Sequence, residues 1–260
     1  MPNPPASPVS TDQDARLWTL LLVSSLAYFF SVNQADNDLW GHLFAGREIV
    51  AHGAIPRVDV YSYTVLGFPW FNHEWLTHVI FAEVYHFAGS AGLLLYKGAA
   101  ALTAFGLTFA GVRRRSDNPW VWGGVGLLLI AVLARGFAIR PQVFTYAAVA
   151  LLLDQLDRYQ NGRRQHRWML PLLFVLWANV HGGFVLGLAI LAGFALWQVQ
   201  FELLFAWVAV GAGRRTDWIK VALPMLISVL CVPAAALNPY GRGLFGYLWD
   251  ELSRSHPITE

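Results

Sequence analysis

The sequence predicts an all-α protein, a polytopic helical membrane bundle of about seven transmembrane helices whose long first outer loop carries interfacial helices. Three observations predict it. Of 260 residues, 56% are hydrophobic and only 13% charged, whereas about a quarter are charged in soluble domains. Apolar runs of about 20 residues, the length a helix needs to cross the hydrocarbon core, recur along the chain. Lys and Arg are unequally shared between the alternate connections of those runs.

The elements follow in order. Residues 1–16 (MPNPPASPVSTDQDAR) are polar and read as a cytoplasmic N-terminal tail. The run at about 17–35 lacks a small-residue cleavage site, so it should stay as a membrane anchor. Residues 36–89 then form the first outer loop. Within it, LWGHLFAGREIVAHG reads as a helix, with Asp38 placed to cap its start and Gly53 to end it. A second, amphipathic helix at about 73–88 carries His78, Glu83 and His86, which favour an interfacial position over a full span. Six further spans are expected at 90–112, 119–138, 142–158, 167–181, 184–210 and 218–237, with a sharp reversal at Gly182-Gly183. Asp154 lies four residues before Arg158, which suits a local ion pair.

Charge sets the orientation. With the N-terminus inside, the inner segments hold eleven Lys and Arg and the outer ones five: Arg47, Arg57, Arg140, Arg242 and Arg254. Lys97 and Arg135 fall within spans. The net charge of +2 is too small to argue for a nucleic-acid partner. One cysteine, Cys231, excludes an internal disulfide; in an apolar run without ligand neighbours it reads as a core residue.

This topology brings unusual polar residues from five segments to the outer face. They are Asp36 and Asp38, Asn72-His73-Glu74, Arg140-Pro141-Gln142, Asn179 with His181, and Asn238-Pro239-Tyr240. Ionisable groups near a bilayer are costly and tend to have functions. Each also has a structural reading. Asp38 can cap a helix and still catalyse, His42 can share a helical face with Asp38, and Asn179 and His181 can bond between helices. Lys97 can snorkel or act. The stretch His73-Glu74-Trp75-Leu76-Thr77-His78 fails as a zinc-protease motif, because its histidines are five apart and fall on different faces. Lys97, Arg135 and Arg140 make a basic cluster that suits a phosphate-bearing lipid, and an arginine fork at 140 suits phosphate especially.

The acid pair just after the first span, the interfacial helices and the multispan bundle resemble the GT-C superfamily of membrane glycosyltransferases. More closely, DNDLWGHLFAGREIVAHGAIPRVDVYSYTVLGFPWFNHEWL at 36–76, RPQVFTY at 140–146 and LWANVHGGFVLG at 176–187 resemble a group of bacterial, glycosyltransferase-like membrane proteins. The resemblance implies an inner-membrane enzyme that takes a sugar from a polyprenyl-phosphate donor and transfers it on the outer face with inversion. Its base would be Asp38 or Asp36. His42, His73, Glu74, Lys97, Arg135, Arg140, Gln142, Asn179, His181 and Asn238 would bind substrate. A divalent metal (Mg or Mn) would sit on Asp38 and Glu74. Superfamily members have more spans and often a soluble C-terminal outer domain, so the resemblance implies a fragment lacking a C-terminal part, a minimal member or a degenerate one. The alternatives are a non-catalytic membrane protein or a transporter component. A transporter would show internal repeats and helices broken at the midplane, and the sequence shows neither.

Overall fold

A computed structural model describes residues 8–31, 36–64, 66–134, 136–163, 166–208 and 218–253. Among these residues the protein is helical, with nine helices: α1 (Pro8–Ser31), α2 (Asp38–His52), α3 (Trp75–Arg113), α4 (Pro119–Ala134), α5 (Gln142–Gln160), α6 (Met169–Val180), α7 (Phe184–Val208), α8 (Trp218–Ala235) and α9 (Gly243–Ser253). An isolated antiparallel bridge, Val58 to Pro69, pins the loop after α2. Each expected span has a helix at its place. Among the described residues, only α3, α7 and α8 are long and apolar enough to cross a membrane. At 1.5 Å per residue the 12-residue α6 reaches about 18 Å, well short of a hydrocarbon core of about 30 Å. Large apolar side chains such as Leu196, Leu203, Leu226 and Val229 lie exposed on α7 and α8, as lipid-facing surfaces require. The protein is membrane-embedded.

Two compact units divide the chain, one of residues 1–41 and 84–161, the other of 42–83 and 162–260. In the first, α1 packs on α4. Asn118 caps α4, its side-chain oxygen accepting the Trp120 amide at 3.0 Å, and Pro119 takes the first helical position. Glycines permit the close approach: a Cβ on Gly123 would lie 2.2 Å from the Trp18 ring, and one on Gly126 2.8 Å from Leu22. Small residues at such interfaces replace the hydrophobic drive that lipid does not supply. The Asp154–Arg158 pair forms as expected (2.6 Å) and belongs to a larger network. Arg114 bridges Asp154 (2.8 Å) and Asp157 (3.0 Å), and Arg115 also reaches Asp157, joining the end of α3 to α5.

In the second unit α8 packs against α6 and α7. The expected reversal is present. His181 is extended (φ −160°, ψ 143°), and α7 starts directly after Gly182-Gly183. Gly187 faces Trp177, whose ring would be 2.4 Å from a Cβ there. Helix α2 stops at Gly53 (φ 62°), whose amide donates to Ile49 O at 2.9 Å. Within the 39-residue α3, Gly89 adopts φ 56° and ψ −150° and breaks the helix where the sequence separates an interfacial arm from a span. Helix α9 is an addition to the expected elements. Its 11 residues are too few to register as a span, yet its Leu244 is fully buried.

One close contact sets the geometry of this unit. A Cβ on Gly46 would lie 1.9 Å from the carbonyl oxygen of His78 and 2.8 Å from Ala82 Cβ. Backbone cannot yield as a flexible side chain can, so Gly46→Ala should destabilise the protein by about 1–3 kcal/mol. Gly41 has open space around it, so Gly41→Ala should be neutral or slightly stabilising. Thermal unfolding in detergent checks this, and equal melting temperatures for the two variants would contradict it.

Candidate functional site: two polar clusters

The first cluster gathers at the start of α2. Asp36 accepts the Asp38 amide on Oδ1 at 3.1 Å, and its carbonyl accepts the Leu39 amide at 3.1 Å. The capping role expected of Asp38 therefore falls to Asp36, because Asp38 already stands inside the first turn. Arg140 lies in the connection between α4 and α5, as the following proline requires. Its fork, read from the sequence as a phosphate grip, closes on Asp36: Nε donates to Oδ2 at 2.6 Å and Nη2 to Oδ1 at 2.7 Å. Two parallel charge-assisted bonds are the strong form of this contact. They raise the already high Arg140 pKa. Arg140 Nη2 also reaches Asp38 Oδ2 at 3.1 Å. The acids are thus unequal. The Asp36 side chain is 19% exposed and doubly bonded to arginine, whereas that of Asp38 is 63% exposed with one longer contact.

Three other residues of the first unit were expected at the site. Lys97 is 2% exposed, so it does not extend to a headgroup, and the snorkelling reading fails. Gln142 is partly buried and begins α5. Arg135 lies outside the described residues.

The second cluster is built on the start of α3. The Glu74 carbonyl accepts the His78 amide at 3.2 Å, so the two side chains stand one turn apart on one helical face. From α2, His42 sets its ring 4.8 Å from that of His78 and 6.1 Å from Phe81. His42 and Gly46 are also one turn apart, so the glycine that lets the helices touch aims His42 at His78. One ligand atom from each of His42, Glu74 and His78 falls within 4.8 Å of the others. Glu74, expected to share a metal with Asp38, is grouped with imidazoles instead, while Asp38 contacts Arg140 and Asp36.

Two more imidazoles flank Glu74. His181 Nδ1 accepts the Gly183 amide at 2.9 Å, which leaves Nε2 to carry the hydrogen of the neutral ring, 3.5 Å from Glu74 Oε1. His73 Nε2 lies 3.7 Å from the same oxygen. Burial lowers the His73 pKa, so this ring is neutral at physiological pH. His73 also packs against Tyr247 at 5.5 Å.

Around the cluster the amides serve the fold. Asn179 donates to Val175 O and Leu237 O and accepts from Trp75 Nε1 (2.8 Å) and Asn238 (3.2 Å), which uses its full bonding capacity. Asn238 commits both amide hydrogens, to Ala178 O and Asn179, and accepts the Tyr240 amide. Both were expected to bind substrate; in the structure they tie α3, α6 and the end of α8 together. The Tyr240 hydroxyl accepts the Asn72 amide (2.9 Å), and Arg57 lies 4.4 Å over its ring. His78 is the residue that sequence reasoning missed. Its Glu74 spacing was available as a signal, but its partner His42 comes from another helix.

No protein-family model, curated protein or solved structure matches the chain.

The first cluster yields a direct test. If the Arg140–Asp36 pair is structural, Arg140→Lys keeps the charge but loses one of two parallel bonds, so stability in detergent should fall. A cycle with Asp36→Asn should give a coupling of about 1–3 kcal/mol. Additive effects would contradict the pairing.

Proposed function

We propose that this chain is an integral membrane glycosyltransferase-like protein. It transfers a sugar from a polyprenyl-phosphate donor to an acceptor hydroxyl at the outer face of a bacterial inner membrane. The observation that carries the reading is the unequal acid pair at the start of α2, with Asp36 clamped by Arg140 and Asp38 left open. A carboxylate tied by two arginine bonds is a weak base, because protonating it would break the pair. Asp38 is the one of the two that can reach a proton.

In the proposed step, the acceptor oxygen attacks the anomeric carbon from the face opposite the phosphate. Asp38 takes its proton, and the carbon–oxygen bond to the phosphate breaks with its electron pair on the departing lipid phosphate. Inversion follows from that single displacement. Arg140 is a positioning residue here, since it fixes Asp36 and holds Asp38 at 3.1 Å. No step is routed through a metal, because the residues expected to share one, Asp38 and Glu74, are found with different partners.

Asp38→Asn keeps a side chain that tolerates the helix start but cannot accept a proton. We expect it to lower sugar transfer from a polyprenyl-phosphate donor by about 10²-fold or more while the protein stays folded. Transfer at the parental rate would remove Asp38 from the reaction.

The proposal also carries an orientation, N-terminus inside, with residues 36–89 outside. Its support is the excess of Lys and Arg in the segments placed within. Reporter fusions after residue 60 and after residue 163 should report opposite sides; the same side for both would overturn it.

A further inference from the structure

We infer that His42, Glu74 and His78 form a binding site for a divalent transition-metal ion of the zinc class. The inference does not depend on the proposed sugar transfer. Two imidazoles and one carboxylate bring a ligand atom each to within 4.8 Å of one another. In a tetrahedral zinc site, bonds of about 2.0–2.2 Å place ligand atoms about 3.3 Å apart, so small side-chain rotations close the set. A second, independent observation comes from His78. Its side chain is buried, the residue being 6% exposed, and its Nδ1 makes no hydrogen bond. A buried imidazole nitrogen without a partner is costly, and ligation or a bond made on ligation removes that cost.

The backbone fixes all three ligands. Glu74, directly before α3, and His78 stand one turn apart, and α2 is held against that turn by Gly46. His181 Nε2 at 3.5 Å and His73 Nε2 at 3.7 Å stand beside Glu74 Oε1, positioned to orient the carboxylate as outer partners of a metal ligand do. The donor set selects the ion. Imidazole suits zinc, iron, nickel and copper, whereas magnesium prefers carboxylate, carbonyl and water oxygens. Three protein ligands leave a fourth position for water or an oxygen of a bound molecule.

The test uses the full chain in lipid nanodiscs, stripped with chelator, loaded with Zn²⁺, dialysed and assayed for metal by mass spectrometry. About one zinc per chain is expected. His42→Ala and Glu74→Gln should each lower zinc affinity at least as much as the roughly 10–100-fold that loss of an outer partner costs. His52→Ala, at the exposed end of α2, should retain it. Glu74→Gln preserves volume and decides the matter should His42→Ala not fold. Cobalt loading of the parent protein needs no variant and should give visible bands of a tetrahedral nitrogen–oxygen site. No zinc above background in the parent, zinc retained after both substitutions, or retention of magnesium in preference to zinc would each overturn the inference.

Discussion

A Cβ on Gly46 would lie 1.9 Å from the carbonyl oxygen of His78, so α2 and the first arm of α3 approach each other only with a hydrogen there. That contact aims His42 at His78 and brings both near Glu74. The grouping of these side chains is therefore a consequence of packing. A glycine that looks like a weak point for a helix is where the backbone comes closest, and its helix-propensity cost of about 1 kcal/mol is the smaller effect.

Polar groups in these units fall into two kinds. Asn179 and Asn238 use their amides on backbone and on each other, and Arg114, Asp154, Asp157 and Arg158 form an ion-paired network. In apolar surroundings such groups stabilise by being satisfied, since an unmade hydrogen bond costs more than a made one contributes. The other kind is left with capacity. Asp38 is largely exposed with one arginine contact, and His78 Nδ1 is buried without a bond.

Local features were legible in the sequence. The stop at Gly53, the break at Gly89 and the reversal at Gly182-Gly183 are short-range backbone events, and the helices stand where apolar runs stand. Pairings between distant residues were not. Arg140 and Asp36 are 104 residues apart, and nothing in either neighbourhood says that the fork will close on a carboxylate and not a phosphate. The capping role passed from Asp38 to Asp36 for a local reason, a two-residue offset in the helix start that the sequence pattern does not resolve. His78 read as one polar residue on an interfacial face. Only the approach of α2 gives it a partner. The expected span 167–181 exceeds α6 at both ends, since the helix runs only from Met169 to Val180 and His181 is extended.

The central claim is the approach of α2 to α3, since the grouping of His42, Glu74 and His78 rests on it. The most direct measurement is a side-chain-resolved cryo-electron microscopy reconstruction of the chain in lipid nanodiscs. It should show the His42 and His78 ring centroids about 5 Å apart, close to the 4.8 Å found here, with Gly46 against the His78 carbonyl. Density that places α2 away from this arm, with His42 facing lipid or solvent, would contradict the account.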